Sequence, residues 1–290
     1  MKRLIVGCGF VGLRAAMRWV ADGDEVWALT RSESRAAEFA AAGLRPVLGD
    51  VTEPDSLGSL PSVERVLYAV GLDRTAGRTQ REVYVTGLWN VLNRLPVTPD
   101  LFVYVSSTSV YGQETGKWVD ESSETDPSTD SGCVCLDAES VVRSHFALGD
   151  TRSHILRLAG IYGPGRLIAR QSALQNREPM SGNPEAWLNL IHVEDAVETI
   201  RACEAWPESA IWLVCDDRPQ TRREFYSQFA MLVGAPPPNF AASENGAARN
   251  GLNKRCSNRA IRDRLGVELR FPTTDQGLPH SLGLPAGAGS

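Results

Sequence analysis

Residues 2–16 read KRLIVGCGFVGLRAA, and this stretch decides the fold. Leu4, Ile5 and Val6 make a short apolar run of the kind buried in a parallel sheet. Gly7, Gly9 and Gly12 follow at G-x-G-x-x-G spacing, with Ala16 in the first turns of the helix they lead into. Each glycine has its own task. Gly7 permits the tight strand-to-helix turn, Gly9 lets a pyrophosphate approach the backbone, and Gly12 lets helix and strand pack closely. The N–H groups at the helix start, with Phe10 and Val11 beside them, face the phosphates. A lone glycine pattern also fits a plain tight turn. A strand before it and a helix after it favour a dinucleotide site.

Outward from that turn, the second strand spans 25–29 and ends in Thr30-Arg31-Ser32, about 20 residues beyond Gly12, where an acid would bind the ribose 2′-hydroxyl of NAD. No acid stands there. Arg31 can pair with a 2′-phosphate, helped by the hydroxyls of Thr30 and Ser32 and by Arg35, which favours NADP over NAD. The alternative is a solvated Arg31 beside a helix N-cap at Ser32. Helix 33–42 ends at Gly43. Strand 44–48 leads to Gly49-Asp50-Val51, where Asp50 either accepts from the adenine amino group or caps the next helix. Strand 63–70 ends at Ala69, Val70 and Gly71, backbone expected to run beside the cofactor. Residues 74–81 read as a loop, and helix 82–95 carries Val83, Leu88, Val91, Leu92 and Leu95 on a core face. Strand 101–105 runs into Ser106-Ser107-Thr108-Ser109-Val110-Tyr111-Gly112, which sets four hydroxyl residues at the ligand end of a parallel sheet. Residues 113–132 are acidic and read as a long loop over the ligand crevice. Helix 136–147, strand 152–158 and the turn 159–166 follow.

Beyond Arg166 the pattern gives helix 166–177, strand 187–191, helix 193–206, strand 211–215 and helix 222–233 with Thr221 as N-cap. Residues 236–238 and 241–251 read as a flexible link. Ser257-Asn258 caps a short helix ending at Leu265-Gly266, and the tail from Thr273 is expected to fray. The division expected is a dinucleotide-binding domain over 1–165 and a smaller substrate-side lobe over 166–290, partly interleaved with the sheet. The 290 residues are 42% hydrophobic with formal net charge −5, enough apolar material for a sizeable core. No basic stripe suggests nucleic acid, and no apolar run is long enough to span a membrane. The six cysteines, Cys8, Cys133, Cys135, Cys203, Cys215 and Cys256, show no zinc-type spacing, so no metal is expected. Reduced thiols and a cytoplasmic location are the expectation.

Three further segments carry a resemblance. SSTSVYG (106–112), RLAGIYGPGR (157–166) and NLIHVEDAVETI (189–200) are similar to segments of the extended or atypical short-chain dehydrogenase/reductases, the epimerase/dehydratase branch. That resemblance implies a Rossmann α/β fold, a doubly wound parallel sheet of about seven strands with a small C-terminal α/β lobe. It also implies an oxidoreductase acting on a small alcohol, carbonyl or sugar-like substrate. A homodimer through helices 82–95 and 136–147 is expected on the same ground. The chain departs from the family where the chemistry sits. The family fingerprint's first glycine is Val6 here. In the family's Y-G-x-x-K-x-x-x-E motif, Gly132, Leu136 and Glu139 fit, but Ser131 holds the Tyr position and Cys135 the Lys position. The Asn of the preceding helix falls at Tyr84, and Ser107 alone survives of the catalytic set. Either the proton comes from elsewhere, with Tyr111, Tyr162, Cys133 and Asp137 as candidates, or the protein binds NADP(H) without turnover, as a sensor or interaction module. Substrate-side candidates are Tyr111, Arg166, Asn189 and His192, the last also readable as a structural histidine beside Asp195. A β-hydroxyacid dehydrogenase reading would need a long all-helical second half, against which the strand- and proline-containing segment 187–240 argues.

Overall fold

The structure is a computed structural model that describes residues 1–240 and 252–285. Its frame is a seven-stranded sheet. The strands are β1 (Lys2–Val6), β2 (Glu25–Thr30), β3 (Arg45–Leu48), β4 (Arg65–Tyr68), β5 (Leu101–Ser107), β6 (Arg152–Leu158) and β7 (Ala210–Val214). They lie in the order β7-β6-β5-β4-β1-β2-β3, and the pairings among β1–β5 are parallel. The order reverses at β1, the topological switch point of a doubly wound sheet. Leu4, Ile5 and Val6 of this central strand are fully buried, as a strand covered on both faces requires. The Rossmann expectation holds.

Two compact units share the chain. One draws on 1–110, 129–157 and 199–212, the other on 111–128, 158–198 and 213–290. The sequence suggests a division at 165–166 with the second lobe partly interleaved with the sheet; the units draw on three segments each. The first holds helices α1 (Gly12–Ala21), α2 (Glu33–Ala41), α3 (Gly87–Arg94) and α4 (Asp130–His145). Its core gathers Leu4, Val6, Tyr68, Leu88, Val91, Phe102, Ala138 and Val142. The second holds α5 (Ile168–Gln175), most of α6 (Val193–Cys203), α7 (Arg222–Leu232), α8 (Arg259–Asp263) and α9 (Thr274–Ser281). Its core is built on Tyr162, Leu190, Phe225, Phe229 and Leu278. Among the described residues no helix is long and apolar enough to cross a membrane.

Five local expectations need correction. Helix 82–95 begins as a π-turn, Glu82–Thr86, before α3; Tyr68 Oη donates to the Val83 carbonyl there at 3.3 Å. Helix α4 starts at Asp130, not 136, because Thr129 caps it by accepting from Gly132 N at 3.1 Å; the hydroxyl-rich stretch that looks like loop is a cap with an acidic first turn. The segment 113–132 also contains a strand, Lys117–Val119, paired in parallel with Lys254–Cys256. Strand 187–191 breaks into Trp187–Leu188, antiparallel to Gln220–Thr221, and Leu190–His192, parallel to Gly160–Tyr162. Asn258 stands at the N-cap of α8 as expected, but its side chain makes no capping bond; its amide donates to the Cys215 carbonyl and to Asp217.

The tail from Thr273 does not fray over its first part. Thr273 caps α9, and Gly277 packs so closely that a Cβ there would stand 2.0 Å from Tyr162 Oη. The expected 241–251 link lies outside the described residues, as do the last five residues, 286–290. Thr221 meets its expectation with a complete capping box to Glu224.

Helix α4 is held by a buried ion pair. Arg157 of β6 donates from Nε to Glu139 Oε1 at 3.0 Å and from Nη2 to Oε2 at 2.8 Å. Glu139 is 0% and Arg157 3% exposed. Ser106 Oγ of β5 donates to Glu139 Oε1 at 2.7 Å. Replacing Glu139 by Gln leaves a buried guanidinium without its counter-charge, at a cost of about 3–5 kcal/mol. The expected readout is a lowered urea midpoint with unchanged slope. The paired replacement Glu139→Leu with Arg157→Met loses less than Glu139→Gln.

Candidate active site

The glycine turn has the geometry its spacing implies. Gly7 has φ +94°, and a Cβ on it would lie 2.4 Å from Ala69 C and Val70 N, so the end of β1 presses on the backbone that leaves β4. A Cβ on Gly12 would lie 2.4 Å from the Gly7 carbonyl oxygen. A Cβ on Gly9 would meet nothing within 4 Å. The position that a pyrophosphate would approach is open, while the two positions that shape the turn are closed. The N–H groups of Val11 and Gly12 take no backbone carbonyl partner among the described residues, as the first turn of a helix requires. Phe10 lies under the Arg14 guanidinium, 4.3 Å from ring centroid to Cζ.

At the end of β2, Thr30 Oγ1 accepts from Ser32 N at 3.2 Å, and Ser32 Oγ accepts from Arg35 N at 3.3 Å, so Ser32 is an N-cap. Arg31 stays exposed, pairing with Asp73 at 3.0 Å and Asp50 at 3.7 Å. Arg35 reaches back to the Cys8 carbonyl at 3.3 Å, which ties α2 to the glycine turn. Asp50 Oδ1 accepts from the N–H and hydroxyl of Thr52, both at 2.8 Å. Val51 packs against Gly87, where a Cβ would come within 2.7 Å of its Cγ2. Beyond Gly71, Leu72 N donates to Tyr84 Oη at 3.2 Å.

Ser131 and Cys135 lie one turn apart on α4, followed by Glu139 on the same face. Gln80 bridges the first two: its Nε2 donates to Ser131 Oγ at 2.9 Å and stands 4.0 Å from Cys135 Sγ. Burial pushes the Cys135 thiol up, away from thiolate chemistry. Ser107 Oγ accepts from Ser109 N at 3.1 Å. Ser106, expected at the cofactor, has its hydroxyl on Glu139. Asp137 pairs with Arg81 at 2.5 Å, and Cys133 is exposed on α4.

The substrate-side candidates stand in the second unit. Tyr111 is fully buried, and its carbonyl accepts from Lys254 Nζ at 2.9 Å. Asn189 pins the strand Lys254–Cys256, donating to the Lys254 carbonyl at 2.9 Å and accepting from Cys256 N at 2.7 Å. His192 is buried; its Nδ1 accepts from Glu194 N at 3.2 Å, and its Nε2 faces His280 Nδ1 at 3.2 Å. Tyr162 Oη is buried with no hydrogen-bond partner among the described residues, against α9. Arg166 is exposed. Sequence reasoning missed Lys254, whose amine burial pushes down to about 8, and Gln80. Nothing in a local pattern marks either residue, because each matters through a partner over 50 positions away.

Residues 4–211 match the model of the NAD dependent epimerase/dehydratase family. The Escherichia coli K12 protein YeeZ is 29% identical over 94% of this chain and 97% of its own. A Methylobacillus flagellatus protein solved as an NAD-dependent epimerase/dehydratase is 32% identical, covers 97% of each chain and superposes with a TM-score of 0.77. The dTDP-glucose 4,6-dehydratase DesIV of Streptomyces venezuelae, solved with NAD, has a TM-score of 0.84 at 20% identity over 98% of this chain and 96% of its own, a likeness of fold.

The open space at Gly9 and the closed space at Gly12 give a paired prediction. Gly9→Val leaves the melting temperature within about 2 °C of the parent, as a surface substitution does, and removes stabilisation by nicotinamide dinucleotides. Gly12→Ala lowers the melting temperature before any ligand is added. Differential scanning fluorimetry reads both.

Proposed function

This chain belongs to the NAD dependent epimerase/dehydratase family, and we propose that it is an NADP(H)-binding cytoplasmic oxidoreductase for a small alcohol, carbonyl or sugar-like substrate, with an altered proton-donor arrangement. The observation that carries this reading is the glycine turn, open at Gly9 and closed at Gly7 and Gly12. Gly9 and the helix-start N–H groups would hold the pyrophosphate, Arg31 the 2′-phosphate, and the backbone at 69–71 the nicotinamide half. When bound, the cofactor supplies hydride transfer. The protein positions it, excludes water and handles the proton.

The preference for NADP rests on Arg31. Its nearer partner Asp73 is an exposed carboxylate, weakly held in water, and Asp50 is a part-buried one at 3.7 Å. A 2′-phosphate offers the same fork a doubly charged, bidentate acceptor. One observation favours the second reading, a non-catalytic NADP(H) sensor. The Gln80 amide occupies the space between Ser131 and Cys135, the two positions where the family's Tyr and Lys would act.

NADPH at about 100 times its dissociation constant should stabilise the fold by about 2.7 kcal/mol. NADH should do much less, and Arg31→Asp should invert the order. Equal response to both nucleotides removes the NADP assignment; response to neither removes the dinucleotide reading. The expected homodimer would use α3 and α4, where Trp89 is 52% exposed and its ring meets His145 at 86°. Light scattering should give twice the chain mass of 31.6 kDa, and Trp89→Glu should return the monomer.

A further inference from the structure

Tyr84 is the one tyrosine of this chain placed to work. The sequence has six. Tyr68, Tyr104, Tyr111, Tyr162 and Tyr226 are all buried, whereas Tyr84 is half-buried. Tyr68 already donates its proton to the Val83 carbonyl. Tyr84 is used the other way round: its oxygen accepts from Leu72 N at 3.2 Å, and no acceptor among the described residues takes its proton. Leu72 lies just past Ala69 and Val70, the backbone on which Gly7 presses. The phenol therefore reaches the segment at the C-terminal end of β4, beside the dinucleotide turn.

The local backbone is built for this placement. Tyr84 is the middle residue of the π-turn Glu82–Thr86, a feature frequent at functional sites. The surrounding groups are few. Cys135 of α4 and Arg74 of the preceding loop act on Tyr84, and Tyr84 in turn acts on Tyr68 of β4 and Tyr104 of β5. Glu139 bears on Tyr104 and Asp50 on Tyr68. On its own turn, Glu82 is held by Thr79 and Arg81 by Asp137. Burial pushes the Tyr84 phenol up, while the Leu72 N–H and Arg74 pull it back. A phenolate here has a backbone donor ready, which Ser131 could not match as an acid.

We propose that Tyr84 is the proton-holding hydroxyl that this chain presents to the nicotinamide end of a bound dinucleotide, in place of the Tyr and Lys that Ser131 and Cys135 replace. The proposal rests on the dinucleotide reading above. It assigns the role to the helix before the serine-rich strand, not to α4.

The test needs no substrate. The oxidised nicotinamide ring is cationic and the reduced ring is neutral. A cation beside a phenol favours its ionised form, so binding of NADP⁺ is coupled to loss of the Tyr84 proton and tightens as pH rises. Affinities for NADP⁺ and NADPH are measured by titration calorimetry at intervals from pH 7.5 to pH 9.5. The expected result is that NADP⁺ affinity gains at least about threefold relative to NADPH over this range. Tyr84→Phe should flatten that gain, with NADPH titrated against the same variant as the reference. Placing 3-fluorotyrosine at position 84, a stronger acid of nearly the same shape, should move the rise to lower pH; this variant carries the test alone if Tyr84→Phe does not fold. Parallel profiles for the two nucleotides, or a gain that survives Tyr84→Phe, overturn the assignment. Binding of neither nucleotide overturns the dinucleotide reading and the Tyr84 proposal with it.

Discussion

A carboxylate and a guanidinium that meet almost out of reach of water set the position of α4 against the sheet. Glu139 and Arg157 join α4 to β6 with two hydrogen bonds, and Ser106 adds β5 to the same carboxylate. In a medium of low dielectric such a pair tolerates little displacement, because each partner would be left charged and unsolvated. The constraint passes along α4 by simple periodicity. Cys135 stands four residues before Glu139 and Ser131 eight before, so all three share one face of the helix. Ser131 and Cys135 are thereby carried on the helix face that Glu139 anchors.

The sheet was legible because its information is local. An apolar run before three spaced glycines, a strand ending in Thr30, and hydroxyls after 101–105 each declare themselves within a few residues, and the parallel order follows from the alternation of strands and helices. The glycine spacing also foretold which position would be open. Less legible were elements whose cause lies elsewhere in the chain. The strand Lys117–Val119 exists because Lys254–Cys256 pairs with it. The α9 helix looks like a glycine- and proline-bearing tail until Tyr162 is seen to need a residue without a side chain at 277. The start of α4 was misplaced because Ser, Thr and Asp mark loops and helix caps alike.

At the site, residue types are legible from the sequence, whereas their contacts are not. Ser131 and Cys135 are read directly from the sequence, one turn apart on α4. Tyr84 was legible only as a missing asparagine. Its contact with Leu72 depends on a π-turn, and apolar periodicity does not report a single widened turn. Gln80, whose amide spans the two replaced positions, carries no sequence signal at all.

The widened turn divides its helix into two angular frames. Residues from Gly87 onward are counted in one phase, with Leu88, Val91 and Leu92 toward the core. Residues through Thr86 belong to another, because the extra residue shifts the count by about 100°. Shortening the segment by one residue would close the turn into plain helix while leaving composition and hydrophobic pattern almost untouched, and would carry the Tyr84 side chain away from Leu72. A homologue differing by that single gap would keep its fold and its apparent family membership while losing this hydroxyl from the neighbourhood of the glycine turn. For this chain, then, the length of the segment at 82–86 sets the phase of Tyr84 relative to Leu72.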